Sequence, residues 1–79
     1  MDLRTFYEIY RKKPLKQRID LLVENAVRQE RREAEAARAL YIRNDYEYKY
    51  CTSEARHMRE RCRWLYWSIQ QDLKQIENL

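Results

Sequence analysis

The clearest hydrophobic pattern lies in the last third of the chain. Its apolar residues recur alternately four and three positions apart: Cys51, Ala55, Met58, Cys62, Leu65 and Ile69, continued by Leu73 and Ile76. This spacing is typical of a helix that buries one stripe against a partner helix, as in a coiled coil. It predicts a helix over residues 52–77.

A second periodic segment follows the single proline, Pro14, which disfavours helix at the residue before it and suits the first turn of a new helix. Its apolar positions share one stripe on a helical projection: Leu15, Ile19, Leu22, Val23, Ala26, Val27, Ala34, Ala37, Leu40 and Tyr41. The segment predicts a helix over residues 15–43 with this stripe on its buried side. The charged residues opposite are expected to face water: Glu24, Arg28, Arg31, Arg32, Glu35 and Arg38.

Two carboxylates interrupt that apolar stripe. Glu30 and Glu33 lie on the side of the helix that the pattern predicts to be buried, where an unpaired charge is costly. We therefore expect each to pair with an arginine of a neighbouring helix, or the seam to open to water there.

A short first helix precedes Pro14. Asp2 can cap its start, and the predicted helix covers residues 3–13. Four apolar residues share one side of it: Leu3, Phe6, Tyr7 and Tyr10.

The stretch DYEYKYCTSEAR, residues 45–56, decides how the two long segments are arranged. Asn44 and Asp45 can end one helix, and Thr52 or Ser53 can cap the next. A turn over residues 44–51 would let two segments of similar length close as an antiparallel hairpin. One continuous helix is the alternative, because the apolar register of the last segment continues backwards through Tyr48. We favour an all-α fold in which a short N-terminal helix precedes a long antiparallel helical hairpin.

Size and composition suggest that this hairpin is completed by dimerisation or by a partner. A chain of 79 residues forms one small domain, 1–79, and buries little apolar surface. Cys51 and Cys62 would lie about 16 Å apart on one helix, too far for a disulfide. The sequence shows no apolar leader segment and no run of about 18 apolar residues. We therefore expect an intracellular protein, cytoplasmic by default, without a membrane span.

The segment RCRWLYWSI, residues 61–69, is the strongest candidate for a binding surface. Trp64 and Trp67 point roughly 140–160° away from the predicted seam, so this part of the helix is apolar nearly all round. Either the first helix or a second copy covers the two rings, or they anchor another protein, since Trp, Tyr and Arg dominate binding hot spots. The candidate partner-binding residues are Trp64, Trp67, Tyr66, Arg63, Arg59 and Arg56, with Tyr46, Tyr48 and Tyr50 at the rim.

These features predict a non-catalytic regulator or adaptor that contacts another protein, itself, or both. The net charge of +4 and the basic stripe at Arg56, Arg59 and Arg63 leave a nucleic-acid-binding regulator as an alternative. A structural subunit of a larger complex is a third possibility.

An enzyme, a cofactor and a metal site are not expected from the sequence. His57 projects away from the face that carries Cys51 and Cys62, which is poor geometry for a Cys–His nucleophile or a metal site. Glu30 and Glu33 lack the Glu-x-x-His spacing of di-iron bundles. The sequence also has no phosphate-binding loop and no serine elbow.

Overall fold

The computed structural model describes residues 2–77, which form three α-helices and no strand: α1 (Leu3–Tyr10), α2 (Leu15–Tyr41) and α3 (Asp45–Glu77). Helices α2 and α3 pack against each other as an antiparallel hairpin, and α1 lies against α3. The predicted all-α hairpin with a short leading helix is confirmed.

The N-terminal part follows the predicted signals, although α1 is shorter than expected. The Asp2 carboxylate accepts a hydrogen bond of 2.8 Å from the Thr5 amide, which caps α1 and lowers the pKa of Asp2. Helix α1 ends at Tyr10 rather than at residue 13. A turn follows, in which the Lys13 amide donates to the Tyr10 carbonyl at 3.1 Å, and Lys13 itself is disfavoured in a helix because it precedes Pro14. Helix α2 then begins at Leu15, directly after Pro14.

The turn between the long helices comprises residues 42–44, which is shorter and earlier than the predicted turn over 44–51. The Asn44 amide donates to the Ala39 carbonyl at 2.9 Å, and the Arg43 amide donates to the Leu40 carbonyl at 3.2 Å. These two bonds form a Schellman motif, which normally places glycine in the left-handed position. Because the chain contains no glycine, Arg43 takes that position with φ of 58°.

Helix α3 begins at Asp45 rather than at residue 52, because Asn44 caps it. The Asn44 side-chain oxygen accepts from the Glu47 amide at 3.1 Å, and its side-chain nitrogen donates to the Glu47 carboxylate at 3.2 Å. Thr52 and Ser53, the predicted caps, therefore lie inside the helix. So do the three tyrosines of residues 45–56: Tyr46, Tyr48 and Tyr50.

The seam predicted on α3 is the core of the hairpin. Five of its residues are buried: Cys51, Ala55, Met58, Leu65 and Ile69. Cys62 is partly buried, whereas Leu73 and Ile76 stay 43% and 57% exposed. The last turns of α3 run past the beginning of α2, because Arg18 near the start of α2 already contacts Asp72.

The prediction of which side of α2 is buried is wrong. Its apolar stripe is largely exposed, and α2 turns a different side toward α3. The buried residues of α2 are Arg18, Asn25, Ala36 and Ala39, and the partly buried ones include Leu22, Gln29, Arg32 and Glu35. Arg32 and Glu35, expected to face water, instead pair with each other at 2.9 Å beside α3. Glu30 and Glu33, expected on the buried side, are exposed.

Packing at the two ends of the hairpin accounts for this rotation of α2. Near the turn, α2 buries the small side chains of Ala36 and Ala39. At the other end, the Arg18 guanidinium bonds to the Lys13 carbonyl, to the Ser68 hydroxyl and to the Asp72 carboxylate. A buried arginine with its donors satisfied in this way is tolerated, and the apolar surface at the seam comes mainly from α3.

Candidate protein-binding surface

The hairpin has two broad sides, and only one carries a further helix. On the side that we name the covered face, α1 packs against α3 at Trp64. On the opposite side, named the open face, Glu33 of α2 pairs with Arg59 of α3 at 3.2 Å. Arg59 and Trp64 are separated by about 140° around α3, which puts them on opposite sides of the hairpin.

The covered face accounts for the first predicted anchor, Trp64. Its ring lies 4.6 Å from the Tyr7 ring and 5.8 Å, edge-on, from the Phe6 ring. Phe6 is 3% exposed, and the Arg61 guanidinium lies 5.3 Å from its ring centre. The Trp64 indole Nε1 is buried and has no hydrogen-bond partner among residues 2–77. Trp64 thus anchors α1 within the chain, which is one of the two arrangements considered from the sequence.

Trp67, only three residues further on, is in the opposite situation. It is 52% exposed, and the adjacent Tyr66 is 56% exposed. Arg63 precedes Trp67 by about one helical turn and is also exposed. In the part of the chain that the structure describes, Arg56 and Arg63 form no ion pair, whereas Arg59 is held by Glu33. Trp67, Tyr66, Arg63 and Arg56 are therefore accessible together along α3.

The three tyrosines near the turn do not form one surface. Tyr48 lines a shallow groove of about 320 Å³ on the open face, together with Ala37, Arg56 and Arg59. Tyr46 is 83% exposed. Tyr50 lies under the Arg32 guanidinium, at 5.4 Å from the ring centre, toward the other side of the hairpin. Of the predicted rim, only Tyr48 adjoins the arginines on the open face.

The apolar stripe of α2 is the feature that sequence reasoning misplaced. Ile19, Val23 and Val27 are 41%, 58% and 55% exposed, and the stripe borders the open face, where Glu33 and Ala37 face the groove. A second pattern in the same helix indicates the contacting side instead. It alternates four and three positions apart, but most of its residues are polar or small: Arg18, Leu22, Asn25, Gln29, Arg32, Ala36 and Ala39.

Three ionisable groups at or beside the seam have shifted pKa values. Burial raises the pKa of the Cys51 thiol, and the Glu35 carboxylate, 3.7 Å away, raises it further. Burial also raises the pKa of Cys62. A raised thiol pKa lowers the fraction of the nucleophilic thiolate. Hydrogen bonds from Gln29 and Arg59 lower the pKa of Glu33 and keep it charged on the open face.

Within 2–77, no three side chains among His, Cys, Asp and Glu are grouped closely enough to hold a metal ion. None of the three helices described above combines the length and apolar character that crossing a membrane requires. No known protein family, curated protein or solved structure matches this chain.

Proposed function

We propose that this protein is a non-catalytic binding protein, a small regulator or adaptor, that holds another protein on the exposed surface of α3 around Trp67. The observation that carries the proposal is the contrast between two tryptophans. Trp64 is enclosed by rings of α1, whereas Trp67 leaves about half of its surface in water. An exposed tryptophan beside tyrosine and arginine has the composition of a protein-binding hot spot.

The arginines favour a partner with acidic groups at the edge of its contact surface. Arg63 and Arg56 are exposed, and among residues 2–77 neither forms an ion pair. Both can donate charge-assisted hydrogen bonds to carboxylates. We place the protein in a reducing, intracellular setting as part of the same proposal, because both of its cysteines are free thiols.

The test compares capture by the full chain and by two variants. The immobilised protein is incubated with cell extract, with and without nuclease, and captured proteins are identified by mass spectrometry. We expect a nuclease-resistant partner whose affinity for purified Trp67→Ala falls about thirtyfold, since losing such an anchor costs about 2 kcal/mol. Ile9→Ala removes an exposed apolar side chain on α1 and should leave the affinity unchanged.

Three outcomes would overturn the proposal. Equal affinity for Trp67→Ala and the unchanged chain would show that the anchor is elsewhere. Capture that is lost with nuclease, and that weakens steeply with salt, would establish phosphate contacts and the nucleic-acid alternative. A partner that never exchanges, and without which the chain is insoluble, would make it a structural subunit.

A further inference from the structure

The chain exposes more surface than a compact protein of its mass. Its solvent-accessible surface is 6460 Å², whereas a monomer of 10.0 kDa is expected to expose about 5,200 Å². Its radius of gyration is 15.3 Å, against about 12 Å for a compact chain of this length. The excess of roughly 1,200 Å² exceeds the ~800 Å² that each partner contributes to a standard interface.

The open face has the size and the apolar character of such an interface. Helix α2 has 27 residues, or about 40 Å, and two adjacent helices are about 20 Å wide, so the face measures roughly 800 Å². Along one flank it carries Ile19, Val23, Ala26 and Ala37, all exposed. Tyr48 and Tyr66 lie along the α3 flank. A partner that covers the whole face must therefore be about as long as the hairpin.

The charges of this face are of both signs. Glu30 is exposed within the apolar flank of α2, and Arg56 is exposed on α3. Within residues 2–77 neither forms an ion pair. Their heights along the hairpin match, because Leu22 contacts Cys62 and Glu35 contacts Cys51. Between these two contacts, Glu30 of α2 is level with the segment of α3 around Arg56.

We propose that a second copy of this chain covers the open face and forms a four-helix bundle with it. The two-fold axis runs parallel to the helices, so α2 of each copy lies against α3 of the other, and all neighbouring helices are antiparallel. This operation preserves height along the bundle. It therefore brings Glu30 of one copy to Arg56 of the other, twice by symmetry, and the apolar flank of α2 to Tyr66.

A second copy fits this face better than a single foreign helix. An acidic helix would pair with Arg56 but would leave Glu30 opposite like charge, and a basic helix would do the reverse. The Glu33–Arg59 pair lies between the helices and stays paired within each chain, so covering it leaves no lone charge. The dimer goes beyond the proposed function, because none of its contacts involves Trp67. Arg56 and Tyr66 border both surfaces, and the dimer presents Trp67 itself twice.

The experiment is sedimentation equilibrium of the full chain and of charge-reversed variants at micromolar concentration. The unchanged chain should sediment with about twice the mass of 10.0 kDa. Glu30→Arg and Arg56→Glu should each weaken the dimer by at least about tenfold, because each places like charges together. An equimolar mixture of the two should restore association. Circular dichroism of each variant checks that the helices remain.

The matched controls lie on α2, away from the open face. Glu24 and Arg28 pair with each other at 2.7 Å and are half-exposed. Glu24→Arg and Arg28→Glu should therefore leave the dimer unchanged.

A monomer at all concentrations up to several hundred micromolar would overturn the dimer, and a dimer insensitive to the reversals would overturn this pairing. Binding of a foreign protein that Glu30→Arg abolishes in a monomeric chain would show that a heterologous partner occupies the face. Failure here is distinguishable from failure of the proposed function, which depends on Trp67 and not on Glu30.

Discussion

The covered face and the open face of the hairpin differ in how far their apolar side chains are covered. On both sides α3 presents aromatic side chains beyond its buried seam. On the covered face, α1 closes over Trp64 with Phe6 and Tyr7. On the open face, Val23 and Tyr66 remain more than half exposed. A helix of eight residues is too short to cover both sides, so α1 packs on one side and the other stays exposed.

Substitution in the seam of α3, which lies between the two faces, should give the largest loss of stability. Leu65 is 0% exposed and belongs to the seam of α3 that packs against α2. Leu65→Ala should lower the free energy of unfolding by about 2–5 kcal/mol, because it removes buried methyl groups and leaves a cavity. Urea unfolding followed by circular dichroism measures the loss. Leu73→Ala, on the same helix but 43% exposed, is the matched control and should cost much less. Equal losses for the two variants would mean that the seam is not the core.

The seam of α3 could be predicted because its residues are apolar on one side at a regular spacing. Cys51, Met58 and Leu65 are buried as their positions indicate. The capping of α3 was harder to locate, because Asn44 and Thr52 are both good caps by residue type. The Asn44 side chain reaches Glu47, and only the three-dimensional turn determines which cap is used.

The orientation of α2 could not be predicted, because hydrophobicity alone does not decide which side of a helix packs. The contacting side carries Arg18, whose cost of burial is offset by Ser68 and Asp72, far away in the sequence. It also carries Ala36 and Ala39, whose small size matters more than their apolar character. The candidate site was affected in the same way, since Trp64 and Trp67 differ only in whether α1 reaches them.

Removing the contact between α1 and α3 on the covered face should give an intermediate loss of stability. Trp64→Ala removes the ring on which Phe6 and Tyr7 pack, and should cost about 2 kcal/mol, somewhat less than for a fully buried tryptophan. Hydrogen exchange should then show α1 losing protection while α2 and α3 keep theirs. Trp67→Ala should change stability by no more than about 0.5 kcal/mol in the monomer.

A second variant at the same position separates the ring from its polar group. Trp64→Phe keeps an aromatic ring and removes the buried Nε1 donor, for which the described part of the chain supplies no acceptor. An unsatisfied buried donor costs about 1–3 kcal/mol, so Trp64→Phe should be clearly less destabilising than Trp64→Ala. If Trp67→Ala instead destabilised the monomer as much as Trp64→Ala, the contrast between the two tryptophans would be wrong.

The smallest effect, and the one most specific to the comparison, should come from two adjacent residues of α2. Leu22 is partly buried against α3, where its carbonyl contacts Cys62, whereas Val23 is 58% exposed beside the open face. At nanomolar concentration, where the proposed dimer is expected to dissociate, Leu22→Ser should be clearly destabilising. Val23→Ser should stay within about 0.5 kcal/mol of the unchanged chain.

At high concentration the loss of stability caused by Val23→Ser should grow, because association stabilises the folded chain by mass action and the variant associates less well. A cost that is the same at both concentrations would show that Val23 contributes nothing to association. A large cost already at nanomolar concentration would instead make the open face part of the core of the monomer.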